Sequence, residues 1–593
     1  MTARAQAVKP WVRLLESRLP SASSPSSASS ASSASAAYWP ARLPRQLVIP
    51  ETTLSFNLEV SARRYPAKAA YRFFGRELSF AELHRQADLL AGWLQVQGVQ
   101  RGDRVLLFMQ NCPQFVIAFY AIQRADAVVV PVNPMNRADE FGHYITDPRA
   151  RVAITTADLA AVVAEANERL PAPDRLRQLL VTRLADALPD EIAPDEAPSP
   201  AVLQWLRGEH ALPATSAAVT RWVDALAAGL QPGLSQAQPD DLALLPYTSG
   251  TTGMPKGCMH SHRTLMPNVA GSALWGHGSA ESVSLGVVPM FHITGMMYSV
   301  LSSVYLGSTV VLLPRWDREL AGRLISRHHV SHWTCIPTMI IDLFGSPNYQ
   351  SFDLSGLRYV SGGGAAMPHA VAERLQTEFG LTFAEGYGLT ETAAPSHANP
   401  PERAKLQCLG IPLYGVDSRI IDPDTLREQP VGEVGEIVTH GPMVFKGYWG
   451  HEDATKAAFI EIEGKPFFRT GDLGRRDEEG YFFLTDRLKR MINASGFKVW
   501  PSEVELLLFK CPLVQEACII GTRDAYRGET VKAVIVLRDA ARGASEQDVI
   551  DWARQHMAAY KVPQVVQFVD ALPKSGSGKV MWRALQEREQ AGA

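Results

Sequence analysis

The sequence predicts an α/β protein: a large N-terminal domain of parallel-rich sheets layered with helices, followed by a small α+β C-terminal domain. Two patterns carry that reading. From about residue 56, short runs of Val, Leu and Ile alternate with segments whose apolar residues recur at helical spacing, the order that builds βαβ units. After residue 486 the order becomes helix, strand, strand, helix, which suits a separate small domain. A chain of 593 residues has room for several compact units, at about 150 residues each.

The elements follow in chain order. Residues 1–20 carry several Arg and one acid, and 21–37 are almost pure Ser and Ala. Residues 1–45 are therefore expected to be a disordered leader that contributes nothing to a core. An Arg- and Ser-rich, acid-poor composition suits either organelle targeting or a flexible appendage. Residues 80–97 have helical apolar spacing, and 104–109 form a short apolar strand after the Gly102-Asp103 turn. A helix over 115–124, a strand over 127–132, a helix near Glu140 and a strand over 152–156 complete a βαβαβ run. The rhythm returns at 307–314, 321–329 and 332–335. Between them, 184–237 is rich in Ala, Pro and isolated Trp, and is expected to be a helical excursion outside any sheet. In the C-terminal part, 503–510 reads as helix, 514–522 and 529–539 as strands, and 548–560 as an amphipathic helix. The charged segment 486–491, DRLKRM, is the natural boundary, giving domains over 46–486 and 487–593.

Composition narrows the function classes. Hydrophobic residues at 46% and charged residues at 20% describe a chain able to bury large cores. The balance of 58 Lys and Arg against 61 Asp and Glu, a net charge of -3, offers no basic stripe and argues against nucleic acid. The cysteines at 112, 258, 335, 408, 511 and 518 have no CxxC or Cys/His spacing, so neither a disulfide framework nor a zinc site is indicated, and a reducing compartment fits. No apolar run reaches the ~18 residues that span a bilayer; the nearest, 105–109 and 115–122, are split by Gln110, Asn111, Pro113 and Gln114. A cytoplasmic protein is expected, with peripheral membrane contact through the Arg-rich leader left open.

The densest chemical signal is 247–257, YTSGTTGMPKG, directly after the apolar run LALLP. Thr248, Ser249, Gly250, Thr251, Thr252 and Gly253 supply hydroxyls and backbone N–H groups that can all face an anion, with Lys256 as a point charge. It is not the Walker loop, because Lys256 follows Met254-Pro255 and precedes Gly257 instead of a hydroxyl residue.

This loop closely resembles the signature of AMP-forming acyl-CoA synthetases, the superfamily shared with beetle luciferases and peptide-synthetase adenylation domains. Further segments agree in order: 385–391 (EGYGLTE), 470–472 (TGD), 486–487 (DR) and 573–579 (PKSGSGK). Each alone is a common turn or loop; together, over about 55–585, they match the family's sequence of motifs. The resemblance implies that Tyr387 stacks on adenine, Thr390 touches the α-phosphate, Glu391 holds magnesium, Asp472 binds the ribose, Arg487 supports ribose and phosphate, and Lys579 is the catalytic lysine. Gly364, Glu385 and Gly386 complete the implied nucleotide site. Lys489 falls at the family's hinge, and Ser495, Gly496 and Lys498 at the loop that faces coenzyme A after the mobile small domain rotates. Asn493 stands where some luciferases have a second lysine, which weakens an oxidative reading.

The chemistry requires such residues. A carboxylate is a poor electrophile, so it first attacks the α-phosphorus of ATP and expels pyrophosphate, giving an acyl-adenylate that a thiol then attacks. Anions must be brought together, and cations and dipoles must stand where charge builds up. ATP, Mg2+ and coenzyme A are thus the implied cofactors, and Lys579 the residue whose loss should most damage the first step.

Two positions bear on the acid. In 289–292, PMFH, His292 falls where amino-acid-activating relatives place an aspartate, so an α-ammonium would lose its counter-charge. Gly388 stands where acetate-specific relatives carry a tryptophan that closes the acyl pocket, and its absence is expected to leave the pocket open. Thr294, Gly295, Met296, Met297, Trp333, Ile336 and Pro337 offer an apolar lining. A medium- or long-chain fatty acid is the expected substrate. An aryl or cinnamate-type acid, or transfer to a separate acyl carrier protein, are the alternatives; a non-enzymatic scaffold is disfavoured because the motif residues are intact.

Overall fold

The computed structural model describes residues 37–248, 254–363, 367–487, 490, 492–494, 497–524, 528–575 and 579–592. The predicted βαβ rhythm builds two large sheets. One has seven strands in the order His260–Ser261, Leu242–Leu244, Val128–Pro131, Arg104–Phe108, Val152–Thr156, Gln178–Thr182 and Ala218–Arg221, all parallel except the outermost His260–Ser261 pair. The other has nine, with a parallel centre from Phe383–Leu389 through Tyr359–Gly362, His332–Cys335, Val283–Gly286 and Thr309–Leu312 to Ala69–Phe73, and antiparallel pairs at both ends. Central strands such as Val128–Pro131 and Thr309–Leu312 are buried along their whole length, which is why they appear in the sequence as unbroken apolar runs.

The helices Phe80–Val96 and Pro113–Arg124 belong to one core with residues of both sheets. Pro113–Arg124 is buried on every side up to Gln123, and Pro at its first turn fits a position whose N–H has no helical partner. Just before it, Asn111 links the two sheets. Its amide donates to the Val288 and Leu313 carbonyls at 3.2 and 3.3 Å and its oxygen accepts from Met290 N at 2.8 Å.

Two expectations are corrected, and a further sheet is added. The 184–237 region is not wholly outside the sheet: Ala218–Arg221 pairs in parallel with Gln178–Thr182 as an edge strand, too short to read as periodic. The leader does contribute to a core, since Trp39 packs edge-on against Trp275 and Tyr414 at 5.7 and 5.4 Å, and Leu43 is buried beside them. Averaging over a Ser/Ala-rich window hid these anchors; residues 1–36 lie outside the described residues. The segment from Asp417 to Arg487 departs from the parallel pattern and forms an antiparallel sheet of five strands.

The small domain is a sheet of five strands, with the long Val514–Asp524 and Gly528–Leu537 pair, covered by the helices Pro501–Leu508 and Glu546–His556. At its junction with the large domain, Asp486 Oδ2 accepts from Ser502 N at 2.7 Å, in the first turn of Pro501–Leu508. That is a favourable place for a carboxylate on a helix N-terminus. Nearby, Arg490 is clamped by Glu505, donates to the Ile519 carbonyl at 3.1 Å and lies 5.5 Å from the Trp582 ring. Removing one member of a buried pair strands the other charge. Glu505→Ala is therefore expected to destabilise the small domain by about 3–5 kcal/mol, read as faster hydrogen exchange along Val514–Asp524 with little change in the large sheets.

Candidate active site

The described ends of the 247–257 motif, expected to hold phosphate, pair with each other. Tyr247–Thr248 pairs antiparallel with Lys256–Gly257, which brings Lys256 opposite Thr248. The tip, with Ser249, Gly250, Thr251, Thr252 and Gly253, lies outside the described residues. Its base is anchored: Tyr247 donates its hydroxyl to Asp147 at 2.5 Å, its ring meets Tyr144 at 4.8 Å, and His143 Nε2–H donates to the Pro255 carbonyl at 2.7 Å. Burial and the neighbouring Asp147 push the Tyr247 phenol far up, so it stays a donor. Gly257 is required because a Cβ there would stand 2.8 Å from Leu245 Cγ.

Thr390 and Glu391 sit on a single turn of 3-10 helix, Thr390–Thr392, after the Phe383–Leu389 strand. Ala393 and Ala394 leave it with φ of 51° and 74°, a left-handed conformation that alanine rarely adopts. The turn is held from several sides. His260 Nε2–H donates to the Thr390 carbonyl at 2.8 Å, Asn268 donates to the Thr392 and Ala393 carbonyls at 3.0 and 2.8 Å, and Phe445 N donates to the Glu391 carbonyl at 2.8 Å. Glu391 Oε1 accepts the Tyr448 hydroxyl at 2.8 Å, and the Tyr448 ring lies under Lys256, 5.4 Å from Nζ to centroid. The hairpin cation and the turn carboxylate are thus brought together. Burial and the Glu391 charge raise the Tyr448 phenol well above its ordinary range.

A second group forms beside it. Tyr387 donates its hydroxyl to Asp472 Oδ2 at 2.7 Å, so the residues expected at adenine and at ribose are in direct contact although 85 positions apart. Asp472 is opposite Arg487 in the antiparallel register, which places Arg487 at the same sheet position; its side chain and that of Lys498 lie outside the described residues. Gly364, Lys489, Ser495 and Gly496 also lie outside them. Gly386 pairs with Ala398 across the strand edge. The Glu385 carboxylate accepts from Met367 N and Gln407 N, both at 3.2 Å, and burial raises it to about 7. Its place is in holding these loops.

Lys579 lies in the C-terminal motif of the small domain. Its backbone N–H donates to Ser575 Oγ and its carbonyl accepts from Ser575 N at 2.7 Å, closing the loop of the C-terminal motif. His292, which accepts from Thr294 N at the start of Ile293–Met296, is pushed down to about 4 by burial and, second, by the Lys579 ammonium. The Lys579 charge is thus felt at the large-domain residue expected at the acid. The helix beyond His292 passes through a π turn, Met297–Leu301, a deviation frequent at functional sites.

Residues expected at the acyl pocket have these surroundings. A Cβ on Gly388 would lie 1.7 Å from the Ala394 carbonyl oxygen, so this glycine permits close strand approach. Met296, Met297 and Trp333 are buried in the main core, with Trp333 stacked on Trp316 at 5.9 Å. Apolar composition does not separate a pocket wall from a core. Tyr448, His260 and Asn268 were not found from sequence; each is a single polar residue whose partner is remote in the chain.

The match to known proteins follows these motifs. A profile described as AMP-binding enzyme matches residues 58–449, and one described as AMP-binding enzyme C-terminal domain matches 503–579. The chain belongs to the AMP-binding enzyme family. It is 34% identical over 560 residues to a long-chain-fatty-acid–CoA ligase of Bacillus subtilis, covering 93% of this chain and 97% of that protein. It is 34% identical over 532 residues to a feruloyl-CoA synthase of an Amycolatopsis species, covering 89% and 97%. The structure of ATP-bound MatB from Rhodopseudomonas palustris superposes with a TM-score of 0.75 at 28% identity, over 91% of this chain and 99% of that one. The protein is an AMP-forming acid–CoA ligase that uses ATP and coenzyme A.

Two predictions follow from this geometry. Gly388→Ala is expected to cost about 1–3 kcal/mol by overpacking against Ala394, seen in urea unfolding, with the acid preference unaltered. His260, His262 and His397 are all buried, and burial lowers them to about 4, 4 and 3. Below the unfolded value of about 6.5 the unfolded chain takes up protons that the native state refuses, so their contribution is present above about 6.5 and lost as pH falls toward 4. Glu385, raised in the folded state, acts with the opposite sign as pH rises through 7. Unfolding free energy should therefore fall steeply from pH 6.5 to 4.5, and His397→Phe should flatten that slope by about 1.4 kcal/mol per pH unit.

Proposed function

We propose that this ligase activates a medium- to long-chain fatty acid and transfers it to coenzyme A. The observation that supports the site reading is the meeting of the Lys256 and Glu391 motifs at Tyr448, whose hydroxyl donates to Glu391 at 2.8 Å and whose ring faces the Lys256 ammonium at 5.4 Å. The fatty-acid choice is supported by the names of several relatives, long-chain-fatty-acid–CoA ligases from Bacillus subtilis and Escherichia coli among them. The feruloyl-CoA synthase, equally identical, supports an aryl acid as the second reading.

In the proposed mechanism the acid's carboxylate oxygen attacks the α-phosphorus of ATP, the bond to the pyrophosphate oxygen breaks, and pyrophosphate leaves. Lys579 bridges the carboxylate and the α-phosphate, drawing together two anions that otherwise repel. Lys256 and the hydroxyls of the hairpin tip meet the charge on the leaving group, Thr390 the α-phosphate, and the Tyr387 and Asp472 pair orients adenine and ribose. Glu391 would hold Mg2+, which supplies charge neutralisation at the phosphates when bound. A single buried carboxylate fits that ion, which uses one or two carboxylates together with substrate phosphates; among the described residues no cluster of three or more His, Cys, Asp or Glu could form an all-protein cage. The small domain then turns about Lys489, Lys579 withdraws, and Ser495, Gly496 and Lys498 come to face coenzyme A, whose thiolate attacks the acyl carbon and expels AMP. Domains over 46–486 and 487–593, divided just before this hinge, give the rotation its two bodies, with Tyr38–Leu43 added to the first. All six cysteines are buried and unpaired and, among the described residues, no helix is long and apolar enough to cross a membrane; we place the enzyme in the cytoplasm.

The test is pyrophosphate release and thioester formation with saturated acids of two to eighteen carbons, benzoate, cinnamate and ferulate. A broad optimum at eight carbons or more is expected, with Lys579→Ala reducing pyrophosphate release by about a hundredfold or more while transfer from a supplied acyl-adenylate persists. Activity confined to the aryl acids would replace the fatty-acid reading, and pyrophosphate without thioester would make a carrier protein the acceptor.

A further inference from the structure

Tyr448 belongs to none of the motifs read from the sequence, yet it touches two of them with different atoms. Its hydroxyl donates to Glu391 Oε1 at 2.8 Å, and the face of its ring receives the Lys256 ammonium at 5.4 Å. The residue is fixed on all sides. Its backbone bridges Cys258, two residues past Lys256, its N–H donates to Thr455 Oγ1 at 2.9 Å, the following Trp449 N donates to the Gly257 carbonyl at 2.8 Å, and its ring meets Phe445 edge-on at 4.8 Å. Phe445 in turn donates its N–H to the Glu391 carbonyl. The segment 445–449 therefore packs against both the phosphate hairpin and the Thr390–Thr392 turn, and Tyr448 is the side chain common to the two.

The types of contact differ in what they control. A hydroxyl on one carboxylate oxygen fixes the plane of the carboxylate, as donors behind metal ligands commonly do. A ring face under an ammonium sets its height without a directional hydrogen bond, leaving its N–H groups able to turn toward phosphate oxygens. A tyrosine between a lysine and a glutamate answers the cation with its ring and the anion with its hydroxyl, so each charge is steadied without the two being drawn into one ion pair.

We propose that Tyr448 is a positioning residue for adenylation: its hydroxyl orients the Glu391 carboxylate toward nucleotide-bound Mg2+, and its ring registers Lys256 against that same carboxylate. This rests on the reading of Glu391 as the metal ligand and Lys256 as the phosphate cation. The two halves of the role are separable, because phenylalanine keeps the ring and removes only the hydroxyl.

The test uses the full chain, with Mn2+ and α,β-methylene-ATP as probes, and reads Mn2+ affinity by electron paramagnetic resonance and nucleotide affinity in EDTA by calorimetry. Tyr448→Phe is expected to weaken Mn2+ binding about tenfold, leave nucleotide affinity in EDTA unchanged, and raise the Mg2+ concentration needed for half-maximal pyrophosphate release by the same factor. Tyr448→Leu should lose Mn2+ equally and weaken the nucleotide in EDTA as well, because Lys256 loses its support. Glu391→Gln is the control. If Glu391→Gln abolishes Mn2+ binding while Tyr448→Phe and Tyr448→Leu bind it as the parent does, the positioning role is overturned and the site reading stands. If Glu391→Gln also binds Mn2+ normally, both are overturned. Melting temperatures of the variants guard against loss of fold, and should Tyr448→Phe fail to fold, the Tyr448→Leu comparison decides.

Discussion

Ala393 and Ala394, side by side with positive φ, bend the chain in a way that costs an alanine roughly 1–2 kcal/mol each, and the turn they close carries Thr390 and Glu391. Such a conformation persists only where its surroundings over-determine it. His260 comes from the edge of the seven-stranded sheet, Asn268 from the helix that follows it, and Phe445 and Tyr448 from the link beyond the Gly435–His440 strand of the antiparallel sheet. Each part of the large domain thus delivers a donor to one short turn. The nine-stranded sheet delivers the turn itself, at the carboxyl end of Phe383–Leu389, which pairs in parallel with Tyr359–Gly362 on one side and antiparallel with Ala394–Ala398 on the other. The carboxyl ends of parallel strands are where open α/β sheets place their ligands.

The same convergence explains the glycines at these strand ends. A Cβ on Gly362 would stand 1.8 Å from the Cys335 carbonyl, one on Gly363 2.3 Å from the Gly386 carbonyl, and one on Gly388 1.7 Å from the Ala394 carbonyl. Backbones approach closely here, which draws the strand ends together around the nucleotide residues. Tyr387 can then reach Asp472 of the antiparallel sheet directly. Protonation works against the arrangement at low pH, because the His260 ring that supports Thr390 has no room for the hydration a charge demands.

What could be read from the sequence divides along a physical line. Strands buried on both faces, such as Val128–Pro131 and Val152–Thr156, leave continuous apolar runs, and a loop built to hold phosphate leaves dense Gly, Ser and Thr; both are local signals. The Ala218–Arg221 edge strand is exposed or half-exposed along its length and leaves no pattern. Trp39 matters only through Trp275 and Tyr414, far along the chain. Tyr448 and Asn268 act through contacts with residues remote in the chain. The packing at Gly388 is equally invisible in the sequence: the strand beside it brings the Ala394 carbonyl to within 1.7 Å of where a Cβ would stand.

The charge of Lys579 felt at His292 bears on which acids the proposed site would accept. Burial keeps the imidazole neutral down to about pH 4, and the ammonium itself adds to that by disfavouring a second cation nearby. A neutral His292 does not compete with the substrate carboxylate for the charge of Lys579, and it offers no partner to a substrate ammonium. On the proposed reading an acid with an uncharged tail loses nothing at this position, whereas an α-amino acid would bring a second cation into the field of Lys579. That constraint acts on charge and leaves shape open, so aliphatic and aryl acids both satisfy it.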